Sequence, residues 1–188
     1  MPKFLIYSDG GSRGNPGPAA FGFIIKPNAI FNFPSGQRPL GRRQFSIFKQ
    51  IPNLNVKIQN NIVYGSGYLG ETTNNQAEYN GILAALKSLQ VIVKPVSPSQ
   101  GGSEKLKVDE VECYLDSELI VRQLKGEYKI KNEGLKPLYW QIRELIMEFG
   151  GKVSFNHIPR EQNTEADRLV NEAIDEAVKS NIKCQKSE

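Results

Sequence analysis

The 188-residue chain predicts an α/β fold, a mixed sheet with helices packed on its faces, and three observations carry that expectation. Between residues 3 and 69, short apolar runs are separated by glycine- and proline-rich turns, the pattern of a β-meander. Beyond them, helix-period segments alternate with strand-like runs, which places helices between strands of one sheet. The last segment carries the cleanest amphipathic stripe in the chain, with Ala166, Leu169, Val170, Ala173, Ile174, Ala177 and Val178 on one helical face.

Lys3 to Asp9 is rich in Phe, Leu, Ile and Tyr and runs into Gly10-Gly11, so it reads as a buried strand that stops at a turn, with Asp9 at its end. Gly10 to Pro18 is turn chemistry, and Ala20 to Ile25 resumes as the second strand of a hairpin. Ile62 to Leu69 offers a third strand. Asn75 to about Leu89 reads as a helix, with Asn75 and Glu78 in the N-cap and N3 positions. Val111 to Leu115 is a short apolar run leading through Asp116-Ser117 into a helical stretch that ends near Leu124. Leu135, Leu138, Ile142, Leu145, Ile146 and Phe149 recur at helical spacing before Gly150-Gly151. Val153 to Ile158 is the last strand, and the final helix starts near Thr164. Residues 1–181 are expected to form one domain, with insertions at about 27–61 and 95–109 that stay out of the core, and a frayed tail over 182–188.

Lys plus Arg number 24 against 20 Asp plus Glu, and the net charge of +4 suits a polyanionic partner without requiring one. Cys113 and Cys184 are far apart and form no C-x-x-C pair, which argues against a zinc site or a disulfide framework and for a reducing cytoplasm. There is no signal-like stretch and no 18-residue apolar run, so a cytoplasmic protein with no membrane partner is expected. No feature calls for a protein partner, and a monomer is expected.

Asp9, Glu78, Asp116 and Asp167 each have an ordinary structural explanation. Glu78 and Asp167 can complete capping boxes begun at Asn75 and Thr164, Asp116 can be an N-cap, and Asp9 can support the glycine turn. Their shared placement is more telling. Two follow strands and two open helices, and in an open α/β sheet those positions can meet along one edge. Four converging carboxylates repel one another and raise their own pKa values, so a cation of high charge is the natural partner. An all-oxygen donor set points to Mg²⁺ or Mn²⁺.

The strings YSDGGSRGNPGPAAFG, ETTNNQAEYNGILAAL, CYLDSELIVRQL and HIPREQNTEADRLVN resemble, in order, the four motif blocks of the type 1 ribonuclease H family, and they cover most of the chain outside the insertions. The resemblance implies the ribonuclease H-like fold, a five-stranded mixed sheet flanked by helices. It implies a nuclease that cuts the RNA strand of RNA–DNA hybrids by two-metal hydrolysis, leaving 5′-phosphate and 3′-hydroxyl ends. Asp9, Glu78, Asp116 and Asp167 become the ligands of two Mg²⁺ or Mn²⁺ ions, with Asp9 bridging, Asp167 on the nucleophile side, and Glu78 and Asp116 on the other ion. Gly10, Gly11, Ser12, Asn75 and Gln76 become sensors of the 2′-hydroxyl, and Asn15 and Thr73 grips for a phosphate of the DNA strand. His157 is the only histidine, yet it lies inside the last strand pattern, which leaves Arg160 as the expected helper at the mouth of the site.

The chain departs from the family pattern in places. KGEYKIKNEGL stands where some members have a Trp-rich basic protrusion, so the short form, without that protrusion or a hybrid-binding domain, is expected. Glu118 replaces an amide that touches the groove. Substitute nucleic-acid grips are Arg38, Arg42, Arg43 and Lys49 with Phe45 and Phe48, or Lys125, Lys129 and Lys131; a solvated loop explains either set equally simply. Two rival functions remain. A non-catalytic hybrid-binding module would bind without turnover, and a metal-dependent DNA nuclease of the same fold superfamily would cut both kinds of duplex alike.

Overall fold

A computed structural model describes residues 3–28, 53–93 and 108–185. In chain order the strands are β1 (Lys3–Ser12), β2 (Gly17–Pro27), β3 (Leu54–Gln59), β4 (Ile62–Thr72), β5 (Glu110–Leu115) and β6 (Val153–His157). The helices are α1 (Asn74–Val93), α2 (Glu118–Leu124), α3 (Lys136–Glu148) and α4 (Thr164–Gln185), and a 3-10 turn spans Arg160–Gln162. The sheet order is β3-β4-β2-β1-β5-β6, antiparallel through the first four strands and parallel from β1 to β6. The meander and the alternating helices therefore share one mixed sheet.

The sheet has six strands where five were expected. The extra strand, β3, lies in the segment read as an insertion and packs Leu54, Val56 and Ile58 against the core. Those residues alternate with Asn55, Lys57 and Gln59, a period of two that the surrounding Pro, Asn and Arg obscured. Asn60 and Asn61 both take positive φ, 51° and 62°, as a tight two-residue hairpin requires. The grip residues proposed for that insertion, Arg38 to Lys49, lie outside the described residues, as does the second insertion apart from Val108 and Asp109. Helix α4 continues past Asn181 to Gln185, because no Gly or Pro interrupts it.

The two faces of the sheet differ in bulk. On the α1 side, Phe21 and Phe23 of β2 lie over Gly67 and Gly65 of β4, whose missing side chains leave room for the rings. Tyr79, Ile82, Leu86 and Leu89 of α1 close over them. On the α4 side the buried cluster is Ala20, Val170, Ala173 and Ile174. Small residues let the helices press close. A side-chain carbon on Gly22 would lie 2.6 Å from the Ala166 carbonyl oxygen, and one on Gly10 would lie 2.1 Å from the Glu78 nitrogen. No helix among the described residues is long and apolar enough to cross a membrane.

Candidate metal centre

Strand β1 does not stop at Asp9. It continues through Gly10, Gly11 and Ser12, which pair with Phe21, Ala20 and Ala19 of β2, and the turn falls at Arg13–Pro16. Asp9 thus sits inside the central strand, paired with Gly22 of β2 and two residues past the last register pair with β5, Tyr7 with Tyr114. Gly10 faces α1, whose backbone occupies the space a side chain would need, and its N–H donates to Asp9 Oδ1 at 2.8 Å. Gly11 faces α4, beside Val170.

The ordinary explanations for the other acids are taken up by their neighbours. Helix α1 is capped by a reciprocal Thr73–Gln76 pair, not by Asn75 and Glu78: Gln76 N–H donates to Thr73 Oγ1 at 3.4 Å, and Thr73 N–H donates to Gln76 Oε1 at 3.3 Å. Ser117 caps α2, receiving Ile120 N–H, so Asp116 is not the cap. At the start of α4 the Asp167 carboxylate accepts from Arg160 Nη2 on one oxygen and from Asn171 Nδ2 on the other, so it is not spent on Thr164. Glu78, Asp116 and Asp167 are all released from capping.

Three of the four acids come together. Asp9, Glu78 and Asp116 each place a carboxylate oxygen within 4.8 Å of the others. Asp9 and Glu78 are buried, and Glu78 Oε2 has no hydrogen-bond partner. Burial, followed by the charge of Asp116, pushes the Asp9 carboxyl up to about 7, against only partial relief from the Gly10 N–H. Burial and then the Asp9 charge raise Glu78 well above the usual carboxylate range. Asp167 lines the same cleft but already has a cation: Arg160 Nη2 donates to its Oδ1 at 2.7 Å, and Asn171 Nδ2 to its Oδ2 at 3.1 Å.

Two buried carboxyls and one half-buried one, all oxygen donors and with Glu78 Oε2 unpartnered, fit a hard divalent cation. The cleft around them, about 270 Å³, is lined by Asp9, Gly10, Gly11, Ser12, Arg13, Asn74, Glu78, Asp116, Arg160, Asp167, Val170, Asn171 and Ile174. A larger depression of about 490 Å³ between β3–β4 and α4 shares no residue with it, and its charges include the satisfied Arg168–Glu172 pair.

Of the expected substrate contacts, Gly10, Gly11 and Ser12 line the cleft, and Asn15, Thr73 and Gln76 tie its rim together. Asn15 Oδ1 accepts the Asn74 N–H, and Asn74 Oδ1 accepts the Ser12 N–H, each at 3.2 Å, which fixes the β1–β2 turn to the start of α1. Asn75 is half-buried beside them. His157 closes β6, as its pattern indicated, with Nε2 3.2 Å from the Asp116 carbonyl oxygen. Glu118 is committed to Arg122, which bonds it at 2.7 Å. Sequence reasoning passed over Asn74, Asn171 and Asn163. Asn163, 1% exposed, donates from Nδ2 to the Ser8 carbonyl at 3.0 Å and to Asp116 Oδ1 at 3.2 Å, so it orients one of the clustered acids. Its place just before a helix-period run was the available signal.

A mixed sheet that delivers carboxylates from its centre and from the start of flanking helices to one cleft defines an α/β protein with a divalent-metal site. A family model described as reverse transcriptase-like matches residues 103–173. Among solved structures, the chain is similar to LC11-RNase H1, crystallised in complex with an RNA/DNA hybrid, at 39% identity and a TM-score of 0.65, over 93% of this chain and 99% of that one. It is similar to the N-terminal RNase H domain of Rv2228c from Mycobacterium tuberculosis at 29% identity and a TM-score of 0.67, over 96% and 99% of the two chains. Ribonuclease HI of Halobacterium salinarum is 31% identical over 171 residues, 91% of this chain. The chain spans 37% of the full bifunctional protein Rv2228c and 64% of the Halobacterium protein. The chain belongs to the type 1 ribonuclease H family.

Proposed function

We propose that this protein is an endonuclease that hydrolyses the RNA strand of RNA–DNA hybrids with the help of divalent metal ions, leaving 5′-phosphate and 3′-hydroxyl ends. The observation that carries the reading is the convergence of Asp9, Glu78 and Asp116 around an unpartnered buried oxygen, in a chain similar to a hybrid-bound RNase H1. Two Mg²⁺ or Mn²⁺ ions are assigned to the site, Asp9 serving both, Glu78 and Asp116 one, and Asp167 the other. When bound, such a pair activates a water and stabilises the charge on the leaving 3′ oxygen.

The chain's own groups position the substrate. Gly11 and Ser12 on the cleft floor, and Asn75 and Gln76 at the start of α1, are assigned to the minor groove, where a 2′-hydroxyl both donates and accepts. Gln76 Oε1 is occupied by the cap, which leaves its amide N–H₂ to donate. Asn15 and Thr73 are assigned to a phosphate of the DNA strand, and Gly10 to keeping Asp9 and α1 in register. Arg160, exposed and already beside Asp167, is assigned to phosphate binding and product release. Residues 1–181 are read as one domain acting as a cytoplasmic monomer; the buried, unpaired Cys113 is in keeping with a reducing compartment.

The test is a labelled RNA–DNA hybrid incubated with Mg²⁺ or Mn²⁺. Cleavage confined to the RNA strand and lost in Asp9→Asn is expected. An inert wild type, or undiminished cleavage by Asp9→Asn, rejects the reading, and equal cutting of DNA–DNA duplexes moves the protein to the DNA nucleases.

A further inference from the structure

We infer that the buried hydrogen bond from Tyr79 to Gln123 is a positioning contact for the metal centre, setting how far Glu78 on α1 stands from Asp116 at the entry to α2. Its consequence rests on the divalent-metal reading of the cleft. The contact itself belongs to the fold.

The acids of the cleft are held in different ways. Asp9 Oδ1 receives the Gly10 N–H, Asp116 Oδ1 receives Asn163 Nδ2, and Asp167 receives Arg160 and Asn171. Glu78 Oε2 receives nothing. That oxygen is therefore placed by the helix that carries it, and whatever fixes α1 fixes the carboxylate.

Tyr79 directly follows Glu78, and Gln123 lies in the last turn of α2, the helix that Ser117 caps immediately after Asp116. Tyr79 Oη donates to Gln123 Oε1 at 3.0 Å. The tyrosine is fully buried and the glutamine nearly so. Ile82 and Leu86 on α1 and Ile120, Val121 and Leu124 on α2 belong to one buried apolar cluster, so the pair is a polar link between two apolar helix faces. Burial also pushes the Tyr79 phenol well above its ordinary range, which keeps it a donor throughout the neutral range.

Apolar packing alone would join the two helices, but it tolerates small slides. A hydrogen bond does not, because its distance and angle are narrow and a buried acceptor deprived of its donor has no water to replace it. Two contacts thus fix α1 in two directions. Toward the sheet, glycines set the approach: a side-chain carbon on Gly10 would fall 2.1 Å from the Glu78 nitrogen, and one on Gly81 would fall 2.7 Å from Ser8 Oγ and 2.9 Å from the Asp9 carbonyl oxygen. This sets Glu78 against Asp9. Along the sheet, toward β5, the Tyr79–Gln123 bond sets Glu78 against Asp116. Successive helical residues project about 100° apart on a rigid frame, so a turn or slide that frees Tyr79 also displaces Glu78. A hard divalent cation accepts oxygens only within a narrow range of distances, which makes affinity the quantity that registers the shift.

Mn²⁺ binding at pH 8 is measured by titration calorimetry, and melting in EDTA by scanning calorimetry, on the full chain. The proteins are wild type, Tyr79→Phe, the double variant Tyr79→Phe/Gln123→Met, and Val56→Ala, which trims the core at β3 on the far edge of the sheet. Tyr79→Phe leaves the buried Gln123 without its donor and should lower the melting temperature by about 5 °C. The double variant replaces both partners with apolar groups of similar shape and should recover most of that loss, yet bind Mn²⁺ about tenfold more weakly than wild type. Val56→Ala should melt earlier and bind Mn²⁺ as wild type does. Wild-type affinity in the double variant overturns the inference, as does an equal loss of affinity in Val56→Ala, since the bond would then matter only for stability. A wild type that takes up no Mn²⁺ overturns the metal reading itself, and is told apart because every variant then fails alike.

Discussion

On the α1 side of the cleft, Asp9 and Glu78 are buried and Glu78 Oε2 meets no donor; on the α4 side, Asp167 is half-buried and receives both Arg160 and Asn171. The first side carries charge that the protein does not neutralise, so it is complete only with a bound cation. The second carries its own cation, close to solvent, where that pair can open at little expense. Metal dependence is thus concentrated in the sheet's centre, and adjustability at its rim.

Breaking the buried side should have the largest effect, in opposite directions for function and stability. Asp9→Asn should lower hybrid cleavage by about a thousandfold, in line with the loss of one centre of transition-state charge stabilisation. The same substitution should raise the metal-free melting temperature at pH 8 by on the order of 10 °C, since it removes a buried charge. Parallel activity and calorimetry would expose a wrong assignment if the melting temperature fell.

The pH dependence sharpens the same contrast. The Asp9 pKa is raised from 3.8 to about 7 in the folded protein, so its stabilising contribution is fully present below pH 3.8 and is lost as pH rises through 7. That shift corresponds to about 4 kcal/mol. Glu78 acts in the same direction. Urea unfolding of the metal-free protein should therefore show stability declining from pH 4 to pH 8, and Mg²⁺ should restore most of it; a flat profile without metal would contradict the account.

Asn163→Ala tests the link between the sides, since Asn163 stands at the entry to α4 and holds Asp116. Mn²⁺ affinity by calorimetry should fall by roughly tenfold to a hundredfold, the usual effect of removing a hydrogen-bond partner from a metal ligand. Arg160→Ala should have the smallest effect, with stability changed by about 0.5 kcal/mol or less because the pair is largely exposed. Turnover should fall only a few-fold, and a loss matching that of Asp9→Asn would place Arg160 in the chemistry itself.

Much of the fold was legible because its elements obey simple periods. The stripe from Ala166 to Val178 and the run from Leu135 to Phe149 became α4 and α3 with little change. Strand β3 was missed because its period of two spans only six residues within polar surroundings. The four acids were legible through their motif blocks, but their local roles were not. Thr73 and Ser117 took the caps from Glu78 and Asp116, while Arg160 and Asn171 took the Asp167 carboxylate, and choosing among adjacent polar residues depends on which group each can reach in three dimensions. Asn163 was invisible for the same reason, since its partners, Ser8 and Asp116, are remote in sequence.

The parallel pairing of β1 with β5 bears on how the molecule comes into being. Lys3 must find Glu110, and Tyr7 must find Tyr114, before the central strand has both its neighbours. During synthesis the hairpin of β1 and β2 can form early, but one edge of β1 stays open until much of the chain has emerged, the kind of distant pairing that slows folding. Asp116, which directly follows β5, and Asp167 on α4 arrive later still. The repulsion that Asp116 and Asp167 add to Asp9 and Glu78 is therefore deferred to the closing stage, when the hydrophobic layer beneath α1 is already available to oppose it.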